Sequence, residues 1–513
     1  MTSQPIDHRR LPSCLKRLGF ALCLIAGLAH AELPAPVLQA LAAAQIPASG
    51  VGVVVQAVDA PGPLLEHNAA QPMNPASVMK LVTTWAALDL LGPAHVWNTT
   101  AWSDSQPVAD VLSGNLYLKG SGDPRFVSED LWALLRQLRA RGIARITGDI
   151  VLDASVFSLA EFNASAFDNK PMRAYNVGAN GLLINFQALS FLLQPDADPV
   201  RVLLLTPSEG LSIDNRLRRT DGPCTGDWRD RITLRLAANP PFTPSGKGAG
   251  GEGEDEPKAA KAPPLPNPSP ARGEGLIKRL EISGNYAASC GEGALNLALL
   301  PSAEQASGLI RALWRELGGK LGGAVRSGRL PPTAIQLASH ASPPLAEIIR
   351  DINKFSNNVM ARQLFLSLAV SDAPGLPATT ERARQALDGW LTLRRLSMPE
   401  LVVDNGSGLS RNDRISAGSL NLLLQDAWRN PLMPEFIASL PLAAVDGTMK
   451  KRLVGSPAAA RTHIKTGTIN GVKAAAGYVL DTTGRYWTVT MLINDPRAEN
   501  GAPAIDALLG WAA

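Results

Sequence analysis

The sequence predicts an α+β fold in which one antiparallel sheet gathers both ends of the chain. Three observations carry this. Residues 51–58 are Val-rich and run into a turn signal, Asp59-Ala60-Pro61-Gly62, which reads as a strand. Residues 472–480 and 486–493 flank a turn at 481–484, the pattern of an antiparallel hairpin. Between them lie stretches that read as helices: in 345–368, Leu345, Ile348, Ile349 and Ile352 fall at i, i+3, i+4 and i+7, and 302–321 is similar. A short strand over 64–67 and a helix from Pro75 complete the early part. The zone from about 96 to 296 is rich in short strands and turns and reads as an insertion.

Composition narrows the function classes. The chain has 513 residues, 45% of them hydrophobic and 18% charged, which is enough apolar content for a large core and excludes wholesale disorder. The formal net charge is +4. Residues 1–31 read as a secretory signal: a basic start with Arg9, Arg10, Lys16 and Arg17, an uncharged run over 18–29, and a small-x-small site at Ala29-His30-Ala31. That segment also holds Asp7, so cleavage near Ala31 leaves a net charge of +1. Neither bulk charge nor a basic stripe with interleaved aromatics points to nucleic acid. No run of 18 apolar residues follows the signal, so no transmembrane anchor is expected. The expected location is the periplasm, as a soluble protein.

Cys14 and Cys23 fall in the signal, leaving Cys224 and Cys290. In an oxidising compartment they could form a disulfide; two buried free thiols are the alternative. Residues 243–274 hold 6 glycines and 7 prolines with Leu265 as the one large aliphatic residue. Such a stretch buries too little apolar surface to offset its ordering entropy, so a disordered insertion is expected.

Three short motifs could carry chemistry. In Asn74-Pro75-Ala76-Ser77-Val78-Met79-Lys80, Asn74 suits an N-cap and Pro75 a first helical position. Ser77 then lies in the first turn, and Lys80, at i+3, shares its face. A serine needs a neighbouring base to become a nucleophile, and a lysine can serve if burial lowers its pKa. The bland reading is a capped helix with a solvated lysine. Ser356-Asn357-Asn358 reads as a helix cap or as a proton-relaying hydroxyl with a substrate-holding amide. His463-Ile464-Lys465-Thr466-Gly467-Thr468 reads as a strand. Alternation places Lys465 and Gly467 on one face and Thr466 and Thr468 on the other. All four serve one site only if the strand is an edge and the site lies beside it; an exposed edge guarded by a lysine is the alternative.

Together, in this order, Ser-x-x-Lys, Ser-x-Asn and Lys-Thr-Gly resemble the signature of penicillin-interacting serine enzymes, with Ser-Asn-Asn in place of Ser-Asp-Asn. The wider contexts NPASVMKLVT, GSGDP, YNVG, DNGSGLSR, VDGT and KTGT make the chain similar to D-alanyl-D-alanine carboxypeptidase/endopeptidases of the penicillin-binding protein 4 type, over nearly all of the mature chain except 243–274. The resemblance implies a transpeptidase/β-lactamase-like domain, an antiparallel sheet with helices on both faces, from 32–95 plus 297–513. It implies two smaller β-rich domains inserted at 96–296.

The implied substrates are peptidoglycan stem peptides ending in D-Ala-D-Ala and D-Ala-diaminopimelate cross-links, with β-lactam antibiotics as inhibitors. No cofactor and no metal are implied, and a homodimer is left open. Ser77 would be the nucleophile, Lys80 its base, and Ser356 with Lys465 a proton relay. Thr466 and Thr468, with Gly467 between them, would hold the terminal carboxylate, and Asn358 a stem-peptide amide. The resemblance also matches Asp153 to an aspartate that meets the amino end of diaminopimelate, where the bland reading is a turn aspartate, and Arg411 in the DNGSGLSR stretch could line the same cleft. Two rival functions remain. A β-lactamase would need a group to activate the deacylating water, and none can be assigned. A non-catalytic wall-binding protein would usually have lost Ser77, Lys80 or Lys465.

Overall fold

The computed structural model describes residues 32–238, 278–372 and 375–513. Residues 1–31, read above as a signal, and the Gly/Pro-rich stretch 243–274 lie outside the described residues.

The central sheet has five strands in the order Thr462–Ile469, Val472–Leu480, Tyr486–Asn494, Val51–Ala57, Leu65–His67. All neighbours are antiparallel. Both chain ends therefore meet in one sheet. Alternation along strand Val51–Ala57 divides its side chains between two cores. Val51, Val53 and Val55 pack with Val37 and Leu41 of helix Ala35–Ala43 and with Ile505, Leu508 and Leu509 of helix Ala502–Ala512. Val54 faces the other way, into a core built from helices Lys80–Leu91, Leu345–Lys354, Asn358–Asp372 and Ala417–Trp428. Each fully buried Val, Leu or Ile contributes roughly 1.5–3 kcal/mol. Helix Lys80–Leu91 is buried continuously from Lys80 to Leu88. Whatever chemistry its first residue performs is therefore held by the main core.

Two expected helices are shorter than their patterns. Residues 345–368 form two helices, Leu345–Lys354 and Asn358–Asp372, because Ser356 sits in the left-handed region at φ 54°. The helix expected over 302–321 ends at Glu316, where Gly318 at φ 75° turns the chain into a short strand, Lys320–Leu321.

The insertion begins with a five-stranded sheet in the order Val325–Ser327, Ile150–Asp153, Leu116–Lys119, Asn98–Ser103, Ile335–Ala341. Helices Ser128–Ala140 and Ser302–Glu316 cover it. This corrects the boundary expected at 296/297. Residues 302–341 belong with the insertion, because Ile335–Ala341 pairs with Asn98–Ser103, and Leu309, Ile310, Leu313 and Trp314 pack on Leu116, Leu118 and Leu135. A second β-rich unit consists of two three-stranded sheets, Leu211–Thr220/Lys278–Ala287/Ile232–Ala238 and Gly293–Leu297/Leu189–Gln194/Arg201–Leu204. They enclose one core around Phe191, Leu280, Ile282 and Tyr286. There the structure joins Cys224 to Cys290, 66 residues apart.

Candidate active site

The expected serine helix begins as a single 3₁₀ turn, Ala76–Met79, and becomes α-helical at Lys80. Side chains at i and i+3 eclipse in a 3₁₀ turn, so Lys80 stands over Ser77. The expected cap is shifted by one residue: Pro75, not Asn74, precedes the turn, no side chain among the described residues caps it, and Asn74 Oδ1 instead accepts the Ala76 N–H at 2.8 Å, where Ala76 has φ 46°. Asn494 then fixes Asn74, accepting its backbone N–H at 2.8 Å and donating to its carbonyl at 2.9 Å. The Ser77 turn is thus fastened to the end of a central strand.

Lys80 is fully buried and its Nζ has three oxygen acceptors: Ser77 Oγ at 3.1 Å, Asn358 Oδ1 at 2.6 Å and the Ser407 carbonyl at 2.5 Å. The solvated-lysine reading is excluded. Burial, with the positive charges of Lys465 and Arg362, holds the Lys80 pKa well below the usual lysine value. Neutral, its amine can receive the Ser77 proton along the contact it already makes.

Ser356 and Asn358 enter from the break between two helices. The left-handed backbone at Ser356 turns its hydroxyl to Lys465 Nζ, which donates to it at 2.9 Å and to the Thr466 carbonyl at 2.7 Å. Lys465 is also fully buried, and burial pulls its pKa down to about 7. Strand Thr462–Ile469 is an edge of the central sheet, as a single site for Lys465, Thr466, Gly467 and Thr468 requires. A Cβ on Gly467 would lie 2.6 Å from the Pro75 carbonyl and 3.0 Å from the Ser77 nitrogen, so only glycine lets this edge lie against the serine turn. Thr466 Oγ1 pairs with Thr448 Oγ1 at 2.8 Å, while Thr468 is exposed along the same edge.

Arg411 lies on the rim. It donates to the Asn470 carbonyl at 2.7 Å, and its guanidinium lies 5.0 Å from the Phe167 ring centre. Phe167 and Leu409 pack on Ala76, Ile469 and Val472, an apolar ledge beside Ser77.

Asp153 is not brought to this cluster. It ends strand Ile150–Asp153 and is 2% exposed. One carboxylate oxygen accepts the Ser155 N–H at 2.9 Å and the other the Leu330 N–H at 2.8 Å. Burial alone would raise its pKa, but these bonds outweigh it and hold it below the usual value. Both oxygens already accept a bond within the insertion, so the geometry supports a turn-fixing role for Asp153. Asp153→Ala should lower catalysis equally on diaminopimelate-containing peptides and on simple D-Ala-D-Ala dipeptides. It should reduce stability by about 1–3 kcal/mol. A selective loss on diaminopimelate substrates, in parallel kcat/KM measurements, would contradict this.

Sequence reasoning passed over residues that hold the site together. Arg362 and Gln363 lie one turn beyond Asn358. Arg362, 5% exposed, donates to the Tyr175 and Val177 carbonyls at 3.1 and 2.5 Å. Gln363 accepts the Asn180 N–H at 2.9 Å and donates to the Asp123 carbonyl at 3.3 Å. The GSGDP and YNVG segments of the insertion are thereby docked onto the helix that carries Asn358. An arginine within an apolar helical run was the visible signal. Lys354 links the Ser356 turn to the VDGT segment, donating to Asp446 at 2.6 Å and to the Leu440 carbonyl at 2.9 Å.

The D-Ala-D-Ala carboxypeptidase 3 (S13) family matches residues 34–217 and 260–513. The chain belongs to this family. As a member it is a serine-type D-Ala-D-Ala carboxypeptidase with the α+β fold expected. It is 27% identical to the D-alanyl-D-alanine carboxypeptidase of Actinomadura sp. (strain R39), over 83% of this chain and 74% of that one. To the D-alanyl-D-alanine carboxypeptidase DacB of Haemophilus influenzae it is 23% identical, over 87% and 85%. The crystal structure of penicillin binding protein 4 from H. influenzae superposes with a TM-score of 0.69 at 21% identity, covering 92% of this chain and 99% of that one. The same protein in complex with a β-lactam gives 0.66 at 21% identity and the same coverage.

Proposed function

We propose that this carboxypeptidase works in the periplasm through an acyl-enzyme on Ser77. Ser77 Oγ attacks the penultimate D-Ala carbonyl of a peptidoglycan stem peptide as its proton passes to Lys80 Nζ. The Ser77 and Thr468 N–H groups receive the oxyanion, an interaction whose loss typically costs about 3–4 kcal/mol. Lys465 and Ser356 deliver a proton to the leaving amine. The Thr466 and Thr468 hydroxyls hold the terminal carboxylate, and the Asn358 amide nitrogen a stem-peptide carbonyl. Water then releases the acyl group. The same steps cleave D-Ala-diaminopimelate cross-links, and a β-lactam, which mimics acyl-D-Ala-D-Ala, acylates Ser77. The β-lactam complex of the H. influenzae protein supports the last step, and the signal-like first 31 residues support the location.

The observation that carries the reading is the 3.1 Å contact between Ser77 Oγ and a fully buried lysine amine. Labelled penicillin followed by peptide mapping tests it. Label is expected on Ser77, and Ser77→Ala should abolish it; wall fragments incubated in parallel should lose terminal D-Ala and some cross-links. Label on another serine would overturn the mechanism. Rapid penicillin turnover with no D-Ala release would favour a β-lactamase, and stable label without hydrolysis a wall-binding protein.

A further inference from the structure

The loop over 404–413 wraps Lys80 and is closed at its base by a carboxylate. Asp413 is fully buried, and one of its oxygens accepts the Asp404 N–H at 2.7 Å. Just beyond it, Val402 and Arg414 exchange backbone hydrogen bonds of 2.9 and 3.0 Å. The loop held this way sends the Gly406 carbonyl to Thr83 Oγ1, the Ser407 carbonyl to Lys80 Nζ and the Ser410 carbonyl to Asn74 Nδ2. The second carboxylate oxygen of Asp413 is buried and has no hydrogen-bond partner among the described residues. A buried oxygen without a hydrogen bond is uncommon and calls for an explanation.

The charges around it supply one. Lys80, Lys465 and Arg362 form a buried positive group, while Asp404 and Arg384 act on Asp413 from the loop mouth. The three hydrogen-bond acceptors of Lys80 are all neutral oxygens. When Ser77 gives up its proton, Lys80 becomes a buried ammonium beside Arg362 and Lys465. We propose that Asp413 is the positioning residue that balances this ammonium, setting the basicity of Lys80 through its negative charge while its bonded oxygen holds the loop. No proton passes to Asp413 in the step; the Ser77 proton ends on Lys80 Nζ. Burial pushes the Asp413 carboxyl up to about 7, with Lys80 and Arg384 drawing it down and Asp404 raising it. Above about 7 the aspartate is mostly charged, and there its negative charge bears on Lys80.

This inference rests on the Ser77–Lys80 mechanism, and the experiment separates the two. The rate of acylation by labelled penicillin is measured against pH for the full exported protein and for Asp413→Asn. Asparagine keeps an oxygen for the Asp404 N–H and removes the charge. The ascending limb should move to lower pH by about one unit, and the plateau above it should fall about threefold, because the base is weaker. At the acid end the variant should therefore outpace the wild type. Asp413→Ser, which also offers an uncharged acceptor, should move the limb the same way if the asparagine variant is insoluble. A limb that stays in place, or a parallel loss at every pH with a lowered Tm, would reduce Asp413 to a loop fastener. Failure of wild-type Ser77 to take the label would instead sink the mechanism on which the proposal stands.

Discussion

Lys80→Ala should slow acylation of Ser77 by a labelled penicillin about 10²–10⁴-fold at neutral pH, the usual contribution of a positioned general base. The contact of 3.1 Å between Nζ and Oγ is within proton-transfer reach. The amine is fully buried, and burial first, then Lys465 and Arg362, favour its neutral form. The sign for pH follows. Only the neutral amine can accept the serine proton, so wild-type acylation should rise with pH through the Lys80 pKa, and that rise should come well below the ordinary lysine value near 10.4. Lys80→Arg separates base from charge. A guanidinium stays protonated, so it could restore a cation but not a proton acceptor. Rescue by arginine, in stopped-flow acylation rates, would mean that Lys80 serves as a fixed positive charge.

Much of the site was legible because its parts are local. Ser77 and Lys80 are three residues apart, and any helical turn puts them on one face. Lys465, Thr466 and Thr468 could be read as one motif, although alternation alone assigned them to opposite faces. The edge position that reconciles them is a property of the sheet order, not of the strand. At Ser356 a helix cap was legible, but not the left-handed backbone that makes the break. The apolar pattern continues through Ile352 and Val359, and a left-handed residue leaves no mark on hydrophobic periodicity. Helix Ser302–Glu316 shows the same limit in the fold. Its pattern told which face is buried, with Leu309, Ile310 and Leu313 inward, but not that the partners would be strands some 160–200 residues earlier. Asp153 shows a third limit. A carboxylate that caps a turn and one that greets a substrate look alike in sequence, and the two backbone N–H groups at 2.9 and 2.8 Å become visible only in the fold.

Gly408→Ala should cut acylation of Ser77 by about 100-fold or more without touching any reacting group. Gly408 lies in the loop that delivers the Ser407 carbonyl to Lys80, and its φ is 75°, where an L side chain costs roughly 1–2 kcal/mol. The larger effect is the approach behind it. A Cβ there would lie 2.0 Å from the Ala76 carbonyl oxygen, 2.5 Å from its carbon and 2.9 Å from the Ser77 Cα. All three are backbone atoms of the nucleophile turn, so no side-chain rotation relieves the overlap. Either the turn or the loop must move. A shift of about 1 Å between nucleophile and base is of the size that costs 10²-fold in rate. Overpacking adds about 1–3 kcal/mol of instability to the backbone term. Gly484→Ala is the control, since Gly484 has φ 90° in a surface turn and nothing within 4 Å of its missing Cβ. That variant should lose only the backbone term, read as a small drop in Tm, and acylate at the wild-type rate. If Gly408→Ala also acylates within threefold of wild type, the loop over 404–413 yields freely. The close approach to Ser77 would then not be what fixes the nucleophile beside Lys80.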